Sequence, residues 1–224
     1  SRLGKTLWTQ RKGGAMPVFV RLADDNEEVA FCRRLVLEGK SLNETAILYR
    51  TNAQSRLFET DFLRNGIPYR IVGTLRFYER EEIKDAVAFL KFMTNPRDEV
   101  AFRRIVNKPA RGIGAASIEK ILAYLSETQG DIRLACSRAR DGLKGRRAAS
   151  LSEFLSILNE VTEDLDAGNL SRFVNTLIDR SGLADYHKSQ DEISGTGKIA
   201  NLEELVNAAS LYKGSMQGLQ DFLE

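Results

Sequence analysis

Two stretches of this chain hold residues whose types and spacing can bind a polyanion. The first is Asn107-Lys-Pro-Ala-Arg-Gly-Ile-Gly-Ala-Ala-Ser117, where glycines flank Ile113 and the cations Lys108 and Arg111 stand just ahead of them. Gly112 and Gly114 permit dihedrals that other residues resist and let backbone approach a ligand, while the amides from Ala115 to Ser117 open a helix at the positive end of its dipole. A helix-hairpin-helix of this kind holds a phosphate without reading bases. Lys108 and Arg111 add charge, and Arg103 and Arg104 lie on the preceding helix. The same residues also read as a helix C-cap and turn that needs glycine for geometry alone.

The second stretch is Leu48-Tyr-Arg-Thr-Asn-Ala-Gln-Ser-Arg56, placed where the carboxyl end of an expected buried strand meets a helix start. In parallel α/β sheets that crevice is the usual ligand site. Arg50 can reach a phosphate or stack on a base, Asn52 and Gln54 offer paired donors and acceptors, and Ser55 at the helix N-terminus favours an anion. The alternative makes Asn52 a simple helix cap and leaves Arg50 and Arg56 solvated.

Other chemistry is sparse. Gly4-Lys5-Thr6 imitates the end of a phosphate-binding loop but lacks the glycine five residues earlier and the preceding strand that such a loop needs, so it reads as chance and no nucleotide-hydrolysis centre is expected. Cys32 and Cys136 stand apart and His187 is the only histidine, which leaves a zinc site short of ligands and the thiols as buried or half-buried side chains. The net charge of +2 hides an asymmetry. Residues 97–150 carry 12 Lys and Arg against 6 Asp and Glu, whereas residues 151–224 carry 5 against 13. That split reads either as a middle that faces a polyanion beside an acidic, partner-facing last third, or as ordinary helix surface.

The elements that must position these residues change character along the 224-residue chain. Residues 16–22, 45–49 and 68–72 have the apolar, β-branched composition of strands. Helices are expected at 27–37, capped by Asp25 or Asn26 and stopping near Gly39, and at 56–65. Strand, helix, strand, helix, strand is the signature of a parallel α/β layer. After Gly73 only helices are expected, at 81–94, 99–107, 117–126, 131–141, 148–165, 169–180 and 199–212, with Ile83, Val87 and Leu90 spaced along one buried stripe and Asp98 as a cap. Ser189–Lys198 reads as a mobile polar loop. No run is long and apolar enough to cross a bilayer and no apolar signal-peptide core follows Ser1, so a cytoplasmic protein with no membrane partner is expected.

In this order the segments resemble the UvrD/PcrA/Rep group of superfamily-one DNA helicases. The strings that carry the resemblance are Arg2-Leu-Gly-Lys-Thr-Leu-Trp-Thr9, Ala46-Ile-Leu-Tyr-Arg-Thr-Asn-Ala-Gln-Ser-Arg56, Ile67-Pro-Tyr-Arg-Ile-Val-Gly73, Leu75-Arg-Phe-Tyr-Glu-Arg-Glu-Glu-Ile-Lys-Asp85, Pro109-Ala-Arg-Gly-Ile-Gly114, Arg180-Ser-Gly-Leu183 and Asn201-Leu-Glu-Glu-Leu-Val206. They span nearly the whole chain, and those at 46–56 and 67–85 are the specific ones. Thr74 stands where the family commonly has glycine, and Tyr78 where it commonly has phenylalanine.

The resemblance implies a fragment: residues 1–75 as part of the RecA-like motor domain 2A and residues 76–224 as the inserted helical 2B domain. It implies a parent that is an ATP-dependent 3′–5′ DNA helicase of repair or replication, needing ATP and Mg2+ bound elsewhere, with no catalytic residue, cofactor or metal in this fragment. Arg50 and Asn52 match residues that line the single-strand path, where Gln54, Ser55 and Arg56 are expected to bind with them, and the Gly112-Ile113-Gly114 element matches the grip of 2B on duplex DNA ahead of the fork, where Lys108, Arg111 and Ser117 are expected to take part. DNA, as single strand and as duplex or fork junction, is the expected partner, alongside DNA-repair or transcription proteins. Two rival classes are a stand-alone DNA-binding module and a protein-interaction domain.

Overall fold

Apolar side chains recurring at three- and four-residue spacing build the body of this protein from helices. The computed structural model describes residues 13–38, 41–73, 75–163, 165 and 169–224. Gly4-Lys5-Thr6, the string from Arg2 to Thr9, Gly39 and Thr74 lie outside the described residues. The chain divides into two units, residues 1–45 and 46–224.

In the first unit, α1 (Asp25–Leu37) begins at Asp24, whose carboxylate accepts from the Glu27 amide at 2.9 Å. The cap therefore sits one residue ahead of the expected Asp25 or Asn26. Val29 and Val36 are buried on this helix and Cys32 is half-buried.

Among the described residues the expected parallel α/β layer is absent. Residues 16–22, 45–49 and 68–72 form neither helix nor strand, among the described residues no ladder pairs them, and the β-bridge that does occur is a lone antiparallel one between Asn169 and Lys213. Leu48, expected inside a strand buried on both faces, is 94% exposed, and Phe19 is 93% exposed. The physical reason is that a helix closes its hydrogen bonds within itself, whereas a strand exists only against a neighbour, and strand propensity records packing on that neighbour. The architecture is helical, and the RecA-like sheet expectation is corrected accordingly.

The second unit starts with a 3-10 turn (Asn52–Gln54) leading into α2 (Ser55–Arg64), and a second 3-10 turn (Phe77–Glu79) leads into α3 (Glu81–Thr94). Then come α4 (Glu99–Ile105), α5 (Ala115–Leu122), α6 (Ile132–Arg140), α7 (Arg146–Glu163), α8 (Leu170–Arg180), α9 (Leu183–Ser194), α10 (Lys198–Ala209) and α11 (Met216–Leu223). Asp98 caps α4 as expected, accepting from Ala101 N at 2.9 Å. On α8 the buried residues Leu170, Phe173, Val174, Leu177 and Ile178 form one stripe of helical period. The core centres on Phe154 of α7, whose ring lies 6.2 Å from Phe89, 6.4 Å from Phe92 and 6.3 Å from Phe102. Each such buried phenylalanine contributes about 1.5–3 kcal/mol of hydrophobic stabilisation. Cys136 is sealed in this core, and burial pushes its thiol up to about 12.

The stretch expected as a mobile polar loop is largely helix. α9 continues to Ser194, and the turn beyond it uses left-handed Gly195 and Gly197 at φ 60° and 73°. Asp191 holds that turn, accepting from Gly197 N at 2.8 Å and Thr196 Oγ1 at 3.1 Å. α9 has no broad apolar stripe to reveal it, being anchored by the buried Leu183 and His187, four residues apart. No described helix is long and apolar enough to cross a membrane.

Candidate nucleic-acid interface

The glycine hairpin joins α4 to α5, and its two faces differ in kind. Gly112, Gly114, Ala115 and Ala116 are exposed, while Ile113 is fully buried in the core and Ser117 is buried at the first turn of α5. Only Gly112 needs glycine for its backbone, at φ 74°; Gly114 sits at φ −84°, which any residue adopts, and has open space where a Cβ would be. Asn107 Oδ1 braces the loop by accepting from Arg111 N at 2.7 Å and Ile113 N at 3.2 Å. Among the described residues no acceptor meets the amides of Gly112, Gly114, Ala115 or Ala116, whereas Ser117 N turns back to Gly114 O at 2.9 Å. The outer face is therefore a row of unmet donors at a helix N-terminus.

The cations of the hairpin point the other way. Arg111 directs Nη1 at the carbonyl oxygens of Ile105 (3.2 Å), Lys108 (2.9 Å) and Pro109 (3.3 Å), and Nη2 at that of Ser181 (2.6 Å). Its guanidinium lies 5.7 Å from the Phe154 ring centre, and burial lowers its pKa. Lys108 Nζ lies 2.6 Å from Glu81 Oε1 and 2.7 Å from Asp85 Oδ2. Burial pulls the Lys108 pKa down, but its hydrogen bonds to Asp85 and Glu81 outweigh this and the net direction is up. Hydrogen bonding from Lys108, aided by Lys198, holds Glu81 down at about 2. Arg103 is paired with Glu99 and Glu119 on the surface, and Arg104 Nε lies 2.7 Å from Asp85 Oδ1.

Asp85, which sequence reading overlooked, is the fully buried centre of this arrangement. Burial pushes its carboxyl up, yet hydrogen bonds from His187 and Lys108 and the charges of Lys108 and Arg104 bring the net direction down. An ionised Asp85 accepts only, so His187 Nε2, at 3.1 Å, carries the proton between them, and among the described residues His187 Nδ1 is buried without a hydrogen-bond partner. The signal was present in the sequence: an acid at position 85 interrupts the buried face formed by Ile83, Ala86, Phe89 and Leu90.

The turn at 50–56 is organised in the opposite sense. Arg50 is exposed, and its amide donates to Gln54 Oε1 at 3.0 Å. Gln54 spends that oxygen on Thr51 N as well, at 3.1 Å, and so closes the turn. Asn52 Nδ2 donates to Thr196 O at 3.3 Å. Ser55 is buried, donating to Glu59 Oε1 at 2.7 Å and accepting from Arg80 Nη2 at 2.9 Å. Arg56 is buried and ion-paired with Glu204 of α10. The expected crevice at a strand end is not formed. A 3-10 turn presents Arg50 and Asn52, and Ser55 and Arg56 fasten it from beneath.

Arg80, also unremarked in sequence, is the counterpart of Asp85. Its guanidinium reaches Asn52 O and Asn201 Oδ1, both at 2.9 Å, and lies over the Phe77 ring; Asn201 Nδ2 donates to Glu82 Oε1 at 2.6 Å. Thus the strings 46–56, 75–85 and 201–206 meet around Arg80. The string 109–114 meets 180–183 through Arg111 and Ser181 and through Pro109, 3.2 Å from where a Cβ on left-handed Gly182 would sit.

The sequence of the whole chain, residues 1–224, matches the family model described as the UvrD-like helicase C-terminal domain. It is 36% identical over 215 residues to DNA helicase II of Haemophilus influenzae, covering 92% of this chain and 29% of that protein. Against DNA helicase II of Escherichia coli it is 36% identical over 214 residues, covering 92% and 30%. Against the ATP-dependent DNA helicase PcrA of Bacillus subtilis it is 32% identical over 219 residues, covering 95% and 30%. The chain spans under a third of the length of these curated relatives. With that family model matched from end to end, the chain belongs to the UvrD-like helicase C-terminal domain family.

Proposed function

We propose that this chain is part of an ATP-dependent 3′–5′ DNA helicase acting in repair or replication. Residues 1–75 belong to its motor domain 2A and residues 76–224 form the inserted 2B domain. In this reading the hairpin from Lys108 to Ser117 holds duplex phosphate ahead of the fork through the unmet amides of Gly112, Gly114, Ala115 and Ala116. Arg50 and Asn52 line the single-strand path, with Gln54, Ser55 and Arg56 shaping their turn. The observation that carries the reading is the exposed row of unmet amides beginning at a left-handed glycine, a geometry that suits an anion and is indifferent to base sequence.

ATP and Mg2+ belong to the proposed parent reaction. Among the described residues no group of His, Cys, Asp and Glu is arranged to hold a metal ion, so no residue is assigned to either and no step is drawn through them.

Fluorescence anisotropy on a single strand, a blunt duplex and a forked duplex at two salt concentrations tests the proposal. The chain is expected to bind duplex and fork in a salt-sensitive way, and Gly112→Val/Gly114→Val is expected to abolish that binding. Equal binding by wild type and double variant, or none by wild type, contradicts the duplex assignment. In the full helicase, Asn52→Ala is expected to slow unwinding; unchanged unwinding contradicts the single-strand assignment.

A further inference from the structure

We propose that Arg111 is a positioning residue: its guanidinium is the internal template that gives the hairpin its shape, so that phosphate meets backbone amides and not this cation. The inference rests on the duplex-binding reading above and deepens it.

The helix α4 ends at Ile105, leaving carbonyl oxygens with no intrahelical donor, and the chain then doubles back through Pro109, which has no amide to offer. Nη1 of Arg111 gathers the Ile105, Lys108 and Pro109 oxygens at 2.9–3.3 Å. From the same planar group, Nη2 reaches Ser181 O at 2.6 Å, pinning the loop to the turn between α8 and α9. A cation at the C-terminal end of α4 also suits that helix's dipole. The ring of Phe154, its centre 5.7 Å from the guanidinium carbon, adds a cation–π contact on one side. A guanidinium spent in this way has both Nη groups turned inward, while the amides of Gly112, Gly114, Ala115 and Ala116 face outward.

Lysine cannot replace it. An ammonium has the charge but neither the planar fork that spans oxygens of two loops nor the flat face that lies on a ring. A phosphate contact behaves differently: lysine preserves much of it, and losing it lowers the salt dependence of binding, by about 0.9 in the slope of log K against log salt per phosphate released.

The test compares wild type, Arg111→Lys and Arg111→Met. Duplex anisotropy is measured over a salt series, and amide hydrogen exchange is followed at Arg111 and Ile113, the two amides that donate to Asn107. Both variants are expected to lose about tenfold or more in duplex affinity with the salt slope unchanged, and to lose protection at those amides while the helical circular dichroism is retained. Wild-type affinity in Arg111→Lys, together with a slope lower by about 0.9 in Arg111→Met, overturns the proposal. So does unchanged amide protection in Arg111→Lys. If wild type binds no duplex, the duplex reading fails, and the exchange measurement still decides whether Arg111 shapes the loop. If Arg111→Met does not fold, Arg111→Lys decides alone.

Discussion

The hairpin at 107–117 and the turn at 50–56 are both rich in polar and cationic residues, yet they spend them in opposite ways. In the hairpin, Lys108 and Arg111 face inward onto Glu81, Asp85 and backbone carbonyls, and the outer surface is bare amide. In the turn, Gln54, Ser55 and Arg56 are consumed in closing and fastening the loop, and Arg50 stays exposed. The difference teaches that a charged residue next to a glycine motif is not by itself a ligand contact. What decides is whether nearby carbonyls and carboxylates need it more than solvent does, because an unmet buried polar group costs more than a surface contact returns.

That comparison can be broken most forcefully from below. Phe154→Ala removes the ring under Arg111 and should lower unfolding free energy by about 3–5 kcal/mol in a urea titration; a loss under about 1 kcal/mol would show that the hairpin does not rest on this core. Asp85→Ala leaves Lys108, Arg104 and His187 without their shared acceptor. Loss of one partner from a buried ion pair costs about 3 kcal/mol. On the turn, Asn52→Ala removes one long hydrogen bond at 3.3 Å and should cost about 0.5 kcal/mol. Similar losses for the two variants, by the same titration, would erase the distinction.

The two glycines sharpen it further. Gly112→Val forces a side chain into the left-handed region, at about 1–2 kcal/mol. Gly114→Ala meets open space at φ −84° and should cost under about 1 kcal/mol while placing a methyl group on the surface a phosphate would approach. Thermal melts of the two variants test that order.

The smallest expected effect is on pH dependence. Glu81 is held at about 2 against an ordinary 4.5, and Asp85 is also lowered. Carboxylates with depressed folded-state values contribute stability that is complete above their unfolded values and is lost as pH falls through the folded ones. Exchange protection at Ile113 should therefore decline as pH is lowered from about 5 towards 2, and Glu81→Gln should flatten the decline. An acid response at the Asn52 turn as large as that at Ile113 would count against the assignment of these carboxylates to the hairpin.

The helices were legible because Ile83, Val87 and Leu90, or Leu170, Phe173, Val174 and Leu177, declare a buried face through local spacing. The hairpin was legible because Gly-x-Gly between two such helices has few uses. Among the described residues the expected sheet does not form: residues 16–22 and 45–49 have strand composition, but composition carries no information on a pairing partner. Nor was the direction of Arg111 or Ser55 legible, since residue type states which groups a side chain can satisfy and leaves open which group is near. Asp85 and Arg80 could have been suspected, one as an acid within an apolar stripe and the other as a cation just before it. Their partners at 187 and 201 come from more than a hundred residues away.

In the proposed function these two surfaces do different work, amides on duplex and side chains on single strand. Its most direct test is a crossed binding measurement by anisotropy: wild type, Gly114→Ala and Arg50→Ala, each against a blunt duplex and a single strand at one salt concentration. Gly114→Ala is expected to weaken duplex binding while single-strand binding holds, and Arg50→Ala to do the reverse. Parallel losses on both DNAs for either variant would contradict it.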